Sequence, residues 1–549
     1  MGGKVRTAVI GVRADVHDLE IAREFFELFK TPWEPAVAGR RYHAVLSTEG
    51  SVDGVNAGVH LAYGVAAQAC DRQASMLIEQ VAGPVDIAWG EQRIPVYKGL
   101  VTFQAGGGTS AVMGSVLFAG KALDYRESSP QGTVWRVGYD LFQEIRFLLT
   151  CGQPARNAHI PTLELHIALL RKLLLDSGVA FVEVPPRPLA FTFSCCLTHD
   201  LDFFGIRRHL FDRTMAGFIV RSTLGTLAEW LRGRRPLTDV IRNLLAVLSL
   251  PLVLLRVLPD FWHPIRDYLR ADRGRPSTFF VIPFKGRPGV GPDNTVSPAR
   301  SVAYEARDVR DELDRVVAEC CEIALHGIDA WRDAEAGRAE LVQVAEPSGQ
   351  TRAGVRMHWL YFSDASPQIL ERAGFEYDSS WGYNDAVGYR AGTSQVFCFP
   401  DTRSLLELPL TIMDTALFYR GRMNLARQEA LGQCFRLVSL ARRFGGTLVV
   451  NWHDRSLAPE RLWGASYVAL QDEIERDGNP WFATAADVVD WFRWRRSITF
   501  CAGPRGALTI AASPRREGLP GARACIHAPG NPSPTEVPVH GVGPLRLEF

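Results

Sequence analysis

The sequence contains the stretch Leu197-Thr198-His199-Asp200-Leu201-Asp202, from which the fold can be inferred. Residues 191–193 alternate between apolar and polar side chains, and residues 195–197 are small and apolar. This pattern predicts a buried strand. Asp200 and Asp202 are two residues apart, so both carboxylates leave a regular strand on the same face. Carboxylates this close raise each other's pKa unless a cation lies between them. One Asp on a metal with the other free as a base resolves that conflict; an acidic loop after a core strand is the alternative.

Length and composition limit the class of protein. A chain of 549 residues is too long for one compact core, so roughly two to four domains are expected. Hydrophobic residues make up 47% and charged residues 22%, as in ordinary globular proteins. The formal net charge of +1 argues against nucleic acid as a partner, and the oligomeric state stays open.

The cysteines and the N-terminus bear on the compartment. The ten cysteines show no metal-type Cys-x-x-Cys spacing, and two adjacent pairs lie in apolar runs that suit reduced core thiols. No secretory signal pattern is visible before Asp15. We therefore expect a cytoplasmic protein.

Composition shifts predict three domains. Residues 1–185 mix strand-like and helical patterns and indicate an N-terminal α/β accessory domain, whose role stays open. The proline-rich connector at 185–188 marks its end. Residues 186–498 form the predicted main domain, and residues 499–549 predict a small C-terminal β-rich unit.

A long insertion, residues 205–275, interrupts the main domain. It contains many arginines and then an apolar run, Leu244–Leu255, which is too short to span a bilayer and is interrupted or ended by Pro251 and Arg256. Two interpretations are open. The insertion is either a helical hairpin packed on its own domain, or a surface that lies on anionic lipid at the inner face of a membrane.

From Pro276 onward, strand and helix patterns alternate, which favours a parallel sheet or barrel. The predicted strands include Ser277–Ile282, Glu322–Leu325, Val396–Phe399, Leu405–Leu408 and Thr447–Asn451, and the predicted helices include Val302–Val317, Pro367–Ala373 and Leu425–Phe444. Active residues in such folds gather at the carboxyl ends of the strands. His326, Asp414 and His453 each follow a strand-like run soon after it ends.

Five segments bear on function. In chain order they are Thr198-His199-Asp200-Leu201-Asp202, Ile323-Ala324-Leu325-His326-Gly327, Val355-Arg356-Met357-His358, Leu408-Pro409-Leu410-Thr411-Ile412-Met413-Asp414 and Asn451-Trp452-His453-Asp454. Together they resemble the polysaccharide deacetylase family (the NodB-homology domain, carbohydrate esterase family 4). The similarity covers roughly residues 190–495. The stretch 388–393 is also similar to members that act in surface-polysaccharide biosynthesis.

That resemblance implies an α/β fold built on a distorted (β/α) barrel. It also implies a divalent metal, usually zinc, and hydrolysis of an N-acetyl group from an amino sugar. Carried over by position, Asp200 matches the family's general base and Asp202 its metal-binding carboxylate. His326 matches the first metal histidine, and Arg356 matches the arginine that orients the base.

The remaining site residues follow in the same way. By the resemblance, His453 matches the general acid that protonates the departing amine, and Asp414 is its orienting partner. From the residues themselves we expect Arg390 to bind substrate hydroxyls or a carboxylate. Trp381 and Tyr383 either stack on a sugar ring or fill the rim of the barrel.

Two departures from the family pattern bear on the metal. The family's aspartates are normally adjacent, whereas Leu201 separates them here, so their roles are exchangeable. The second metal histidine normally follows the first by four residues, and that position is Ala330. Zinc hydrolases commonly use three protein ligands plus water. We expect His358 to be the replacement, and His199 is a second candidate, although its position on the strand directs it to the opposite face.

These observations predict a metal-dependent deacetylase acting on an amino sugar in a polysaccharide, a glycolipid or a precursor of either. One alternative is a non-catalytic carbohydrate-binding or scaffolding protein on a degenerate barrel. Another is a hydrolase of a different C–N amide bond, because fold does not fix substrate. The presence of a third metal ligand separates the catalytic hypothesis from the non-catalytic one.

Overall fold

A computed structural model describes residues 9–49, 55–107, 109, 111–129, 132–210, 212–350, 352–502, 508–540 and 545–547. The chain divides into two compact units. The first consists of Met1–Ala190, Arg390–Thr393 and Trp491–Phe549, and the second of Phe191–Tyr389 and Ser394–Asp490. Residues 499–549, predicted as a separate unit, thus group with the N-terminal residues.

The first unit is an α/β structure with two larger sheets. Among the described residues, a mixed seven-stranded sheet has the order Trp33–Pro35, Ile10–Arg13, Arg41–Ser47, Asn56–Tyr63, Gly132–Val137, Asp124–Ser129, Val112–Met113. A six-stranded antiparallel sheet has the order Met76–Val81, Leu100–Ala105, Lys121–Ala122, Val116–Phe118, Val85–Trp89, Gln92–Val96. The helices are Val16–Phe29, Ala69–Gln73, Leu141–Thr150 and Thr162–Asp176.

Strand pairing explains why the C-terminal residues belong to this unit. Phe181–Glu183 pairs antiparallel with Ala522–His527, which in turn pairs with Thr535–Val539. The His527 imidazole lies 2.9 Å from the Glu183 carboxylate and reinforces the pairing. A further small sheet contains Thr499–Ala502, Leu508–Ala511 and Leu545–Leu547. Partners more than 300 residues apart in sequence leave no local pattern to detect.

The second unit is built on one curled sheet of the distorted (β/α) barrel type, as predicted. Its strands follow the order Phe397–Cys398, Leu406–Glu407, Tyr377–Asp378, Gly354–Met357, Glu322–Gly327, Ser277–Val281, Ser194–Leu201, Thr447–Asn451, Ile412–Met413, with Trp481–Phe482 also paired to Ser194–Leu201. All of these pairs are parallel except that of Phe397–Cys398. All eight residues of Ser194–Leu201 are buried, which is typical of a parallel strand covered on both faces.

Helices pack around this sheet. They are Arg310–Ala318, Ala334–Ser348, Ser366–Ala373, Asp414–Phe418, Arg427–Phe444, Gly464–Arg476 and Ala485–Arg496. The predicted helix Val302–Val317 starts later than expected, because a 3-10 turn at Ala306–Val309 precedes the α-helix.

The insertion is helical throughout most of its length. Its elements are a 3-10 turn at Ile206–His209, helices Arg213–Val220, Thr226–Leu231, Leu237–Leu254 and Pro264–Ala271, and a π-helical turn at Arg221–Gly225. Of the two residues expected to interrupt or end the apolar run, Pro251 does not break the helix, which continues through it to Leu254 and ends before Arg256. By length and composition this helix could cross a membrane, and only 28% of it is buried.

Candidate active site

Strand register brings the candidate metal ligands together. In the parallel ladder, Leu201 pairs with Val281, and Val281 pairs with Leu325. Leu325 pairs with Val355, one strand further along. Asp202, His326 and His358 therefore lie at the same carboxyl edge, each within one residue of a strand end.

The spacing of these three side chains suits a metal. Asp202 Oδ1 lies 3.3 Å from His326 Nε2 and 3.4 Å from His358 Nε2. A ligand atom from each of the three lies within 4.8 Å of the other two. With metal–ligand bonds of about 2.0–2.1 Å, neighbouring atoms of a tetrahedral site are about 3.4 Å apart. Asp202 Oδ1 is buried without a hydrogen-bond partner, so the cluster is incomplete on its own.

The Nε2 atoms of both imidazoles face Asp202. His326 Nδ1 lies 3.0 Å from the Arg356 carbonyl oxygen, so we assign the proton to Nδ1 and the lone pair to Nε2. Burial lowers the pKa of His358 to about 3, so this ring is neutral at pH 7. Two imidazoles and a carboxylate form a donor set that fits zinc or a similar divalent ion.

His358 lies in the cluster that could hold a metal, and His199 lies outside it. Ala330 is buried and offers no ligand atom. Both ring nitrogens of His199 have partners, the Trp452 carbonyl oxygen and Asp272 Oδ2, each at 3.0 Å. His199 is therefore a structural residue on the opposite face of its strand.

Asp200 sits in a separate, fully paired environment. Arg356 Nη1 donates to Asp200 Oδ1 at 2.9 Å, and Asn451 Nδ2 donates to Oδ2 at 2.7 Å. Arg356 is itself fixed by Ser379 and lies over the Phe280 ring at 4.2 Å. Burial alone would raise the pKa of Asp200, but Arg356 and the nearby imidazoles lower it below its usual range. Asp200 is thus an oriented, ionised carboxylate.

His453 and Asp414 form a hydrogen-bonded pair. His453 Nδ1 lies 2.6 Å from Asp414 Oδ1, and the His453 backbone N–H donates to Oδ2 at 2.8 Å. This leaves His453 Nε2 facing Asp200 Oδ2 at 3.8 Å. Burial alone would lower the pKa of His453, but the Asp414 carboxylate outweighs it and raises the pKa to about 10.

The predicted substrate residues are Trp381, Tyr383 and Arg390, and they differ in burial. The Trp381 side chain is 2% exposed and packs against Phe362 and Phe399, with ring centroids 4.8 and 5.6 Å away. It fills the barrel rim and presents no open face to a sugar. Tyr383 is half-buried. Arg390 groups with the first unit, where its carbonyl oxygen accepts from the Gln153 backbone N–H at 2.8 Å.

Sequence reasoning missed two residues that hold the site. Asn451 contacts Asp200 directly, and its position two residues before His453 is the signal that could have found it. Arg300 donates to the carbonyl oxygens of Ile328 and His358, both at 2.9 Å, and so ties together the loops that follow two ligand strands. Beside it Trp359 has φ 64°, a left-handed conformation that non-glycine residues rarely adopt and that marks strain next to His358.

The comparisons with known proteins concern the fold. No family model matches the chain, and no curated protein matches it. Solved structures of polysaccharide and carbohydrate deacetylases are similar to it. A protein assigned as a polysaccharide deacetylase from Mycobacterium smegmatis shares 18% identity over 57% of this chain and 95% of its own, with a TM-score of 0.34.

Two further similar structures are those of a deacetylase and of a pseudoenzyme. The carbohydrate deacetylase Agd3 matches over 100% of this chain and 99% of its own, at 8% identity and a TM-score of 0.37. A mutant of BA3943, a CE4 family pseudoenzyme, matches over 56% of this chain and 72% of its own, at 10% identity and a TM-score of 0.26. Likeness at this level does not decide activity, so the functional argument rests on the site.

Proposed function

We propose that the second unit is a metal-dependent hydrolase that removes the N-acetyl group from an amino sugar in a polysaccharide, a glycolipid or a precursor of either. The observation that supports it is the convergence of Asp202, His326 and His358 beside the paired carboxylate of Asp200. The third ligand is the feature that a degenerate, non-catalytic barrel would lack.

The metal and the protein residues have distinct tasks. A divalent ion held by Asp202, His326 and His358 would polarise the amide carbonyl and lower the pKa of a bound water toward 7. Arg356 and Asn451 keep Asp200 ionised and oriented, so its carboxylate can take the proton of the attacking water.

His453 supplies the second proton transfer. Its raised pKa keeps the imidazolium protonated at neutral pH, with Nδ1–H held by Asp414 and Nε2–H turned toward Asp200 and the site. When the C–N bond breaks, Nε2 gives its proton to the nitrogen, and the sugar leaves as a free amine. Asp200 and His453 face each other with pKa values shifted apart, as an acid–base pair requires.

Acetate release from N-acetylated sugars and oligosaccharides tests this proposal. We expect release that stops after treatment with a chelator, returns with added Zn²⁺ and is absent in Asp200→Asn. Metal-dependent release from a non-sugar amide, with none from any N-acetyl sugar, would favour the alternative amide hydrolase. A metal-loaded protein that cleaves neither class of substrate would contradict catalysis.

A further inference from the structure

The helical insertion, residues 205–275, exposes most of the large apolar side chains on the described surface. Of 26 exposed large hydrophobic residues in the described part of the chain, 16 lie in this insertion. Large contiguous apolar surfaces on a folded protein mark an interaction site. The insertion is therefore richer in exposed apolar surface than the rest of the described chain.

The long helix Leu237–Leu254 is apolar on both faces. Its inner face places Ala246, Leu250 and Val253 in a core cluster with Phe218 and Trp262. Its outer face exposes residues at helical spacing, namely Leu237, Ile241, Leu244, Leu245, Leu248 and Leu252. Leu245 and Leu248 are 59% and 75% exposed. A helix that needed only to pack on its own domain would have a polar outer face.

Charge on the same segment is strongly positive. Residues 205–275 contain thirteen arginines and no lysine, against six acidic residues, for a net charge of +7, whereas the whole chain has +1. Apolar surface combined with basic charge is the pattern of helices that lie in the interface of an anionic membrane.

A cavity of about 760 Å³ opens between this insertion and the loops after Phe418 and Arg455. Its lining includes eight arginines, Arg221, Arg234, Arg235, Arg242, Arg420, Arg427, Arg455 and Arg461, and three acids, Glu229, Asp239 and Glu460. Arg455 Nε and Arg461 Nη1 are buried donors without a hydrogen-bond partner. Glu460 is the shared carboxylate of the two side chains, 3.3 Å from Arg455 Nη1 and 3.8 Å from Arg461 Nε, and it leaves these two donor atoms without a hydrogen bond. Buried donors without a hydrogen bond are rare in folded proteins, and an anion in the cavity would complete them.

We propose that residues 205–275 dock on a lipid bilayer and that the arginine-lined cavity holds the phosphate of an anionic lipid headgroup. A bilayer covers the exposed leucines of the long helix, and a headgroup phosphate supplies the acceptor for Arg455 and Arg461. An apolar protein partner or a second copy of the chain would cover the leucines but leave those buried donors unpaired.

The cavity lies next to the proposed chemistry. Asp414–Phe418 is the helix that begins with the partner of His453, and its last residue lines the cavity. Arg455, two residues after His453, lines it as well. This step rests on the proposed function: a substrate whose sugar reaches His453 while its phosphate lies in the cavity is a lipid phosphate or diphosphate glycoside.

Vesicle flotation of the full chain, read without any substrate, tests the docking. We expect the protein to float with phosphatidylcholine vesicles that contain phosphatidic acid, and at least tenfold less with phosphatidylcholine alone. The double variant Leu245→Glu and Leu248→Glu should lose at least tenfold in binding. The matched control Val342→Glu, 56% exposed on helix Ala334–Ser348, should stay within twofold of the wild type.

The headgroup contact has its own variants. Arg461→Gln should reduce the preference for phosphatidic acid about tenfold, and Arg242→Gln, at an exposed position, serves if Arg461→Gln does not fold. Wild-type protein that stays unfloated, binds both vesicles equally or floats unchanged in the double leucine variant would overturn the proposal. Inorganic pyrophosphate binding without flotation, or self-association that the leucine variant abolishes without flotation, would overturn it in favour of a free phosphate or a second copy. Because flotation needs no turnover, its failure is distinguishable from failure of the proposed activity.

Discussion

The two ends of the strand Glu322–Gly327 hold buried polar clusters that differ in whether the central carboxylate has hydrogen-bond partners. At the amino end, Glu322 accepts from the Thr278 hydroxyl at 3.0 Å, the Ala486 backbone N–H at 2.9 Å and the Tyr377 hydroxyl at 2.8 Å. At the carboxyl end, the neutral His358 ring and His326 face an Asp202 oxygen that has no hydrogen-bond partner.

This difference in hydrogen bonding indicates which cluster stabilises the fold and which one binds a ligand. Burying a charged group without partners is costly, so a cluster whose partners are all present stabilises the fold by itself. A cluster in which acceptors converge on one point is stable only when something positive binds there. We therefore propose that the carboxyl end is the ligand site and that the amino end is a structural anchor of the same strand.

The largest expected effect is on turnover. Asp200→Asn should reduce acetate release by about 10³-fold, because an amide cannot take the water proton. Metal content, measured by mass spectrometry of the purified protein, should not change, because Asp202 and both histidines remain. The surface variant Asp308→Asn is the matched control. Turnover within tenfold of the wild type, or loss of metal with turnover retained, would contradict the assignment of Asp200 and Asp202.

A change in the amino-end cluster should lower the stability of the fold and leave metal binding unchanged. Glu322→Ala leaves two hydroxyls and one backbone N–H without their buried acceptor, so we expect a loss of about 3 kcal/mol in the free energy of unfolding. Denaturant titration measures it. Zinc affinity of the folded variant should match the wild type. A variant of normal stability that fails to bind metal would reverse the roles of the two ends.

A smaller effect is expected at the acid histidine. Asp414→Asn removes the carboxylate that raises the pKa of His453 to about 10, so the pKa should fall toward the usual value of about 6.5. Activity that needs the imidazolium persists below this pKa and disappears above it, so the alkaline limb of the pH profile should move to lower pH. NMR of labelled histidine follows the titration, and turnover at pH 8 should drop about 30-fold. An unmoved pKa would exclude Asp414 as the partner.

The smallest expected effect is on metal affinity. Arg300→Gln removes the guanidinium that donates to the carbonyl oxygens of Ile328 and His358 and so holds the loops after the two ligand strands. We expect metal affinity to fall about tenfold. Calorimetric titration with Zn²⁺ measures this affinity. Arg310→Gln, on a helix away from the ligands, serves as the control. Unchanged affinity would mean that the ligand loops hold their shape without Arg300.

Part of this arrangement could be predicted from sequence. The two-residue period of a strand places Asp200 and Asp202 on one face, and the strand-like runs before His326 and His453 place both at the carboxyl edge. Sequence cannot predict Arg300, because its partners are backbone carbonyls brought close only by the fold. Nor does it predict the burial of Trp381, because an aromatic residue at a barrel rim has the same local pattern whether it packs inward or faces solvent.

The central claim is that the carboxyl end of the sheet binds a metal through three ligands, and metal analysis of the wild type beside His358→Ala tests it most directly. The wild type should retain about one equivalent of zinc or another divalent ion, and His358→Ala should lose it while a His17→Ala control keeps it. No metal in any of the three proteins, even after reconstitution, would contradict the claim and favour the non-catalytic binding protein.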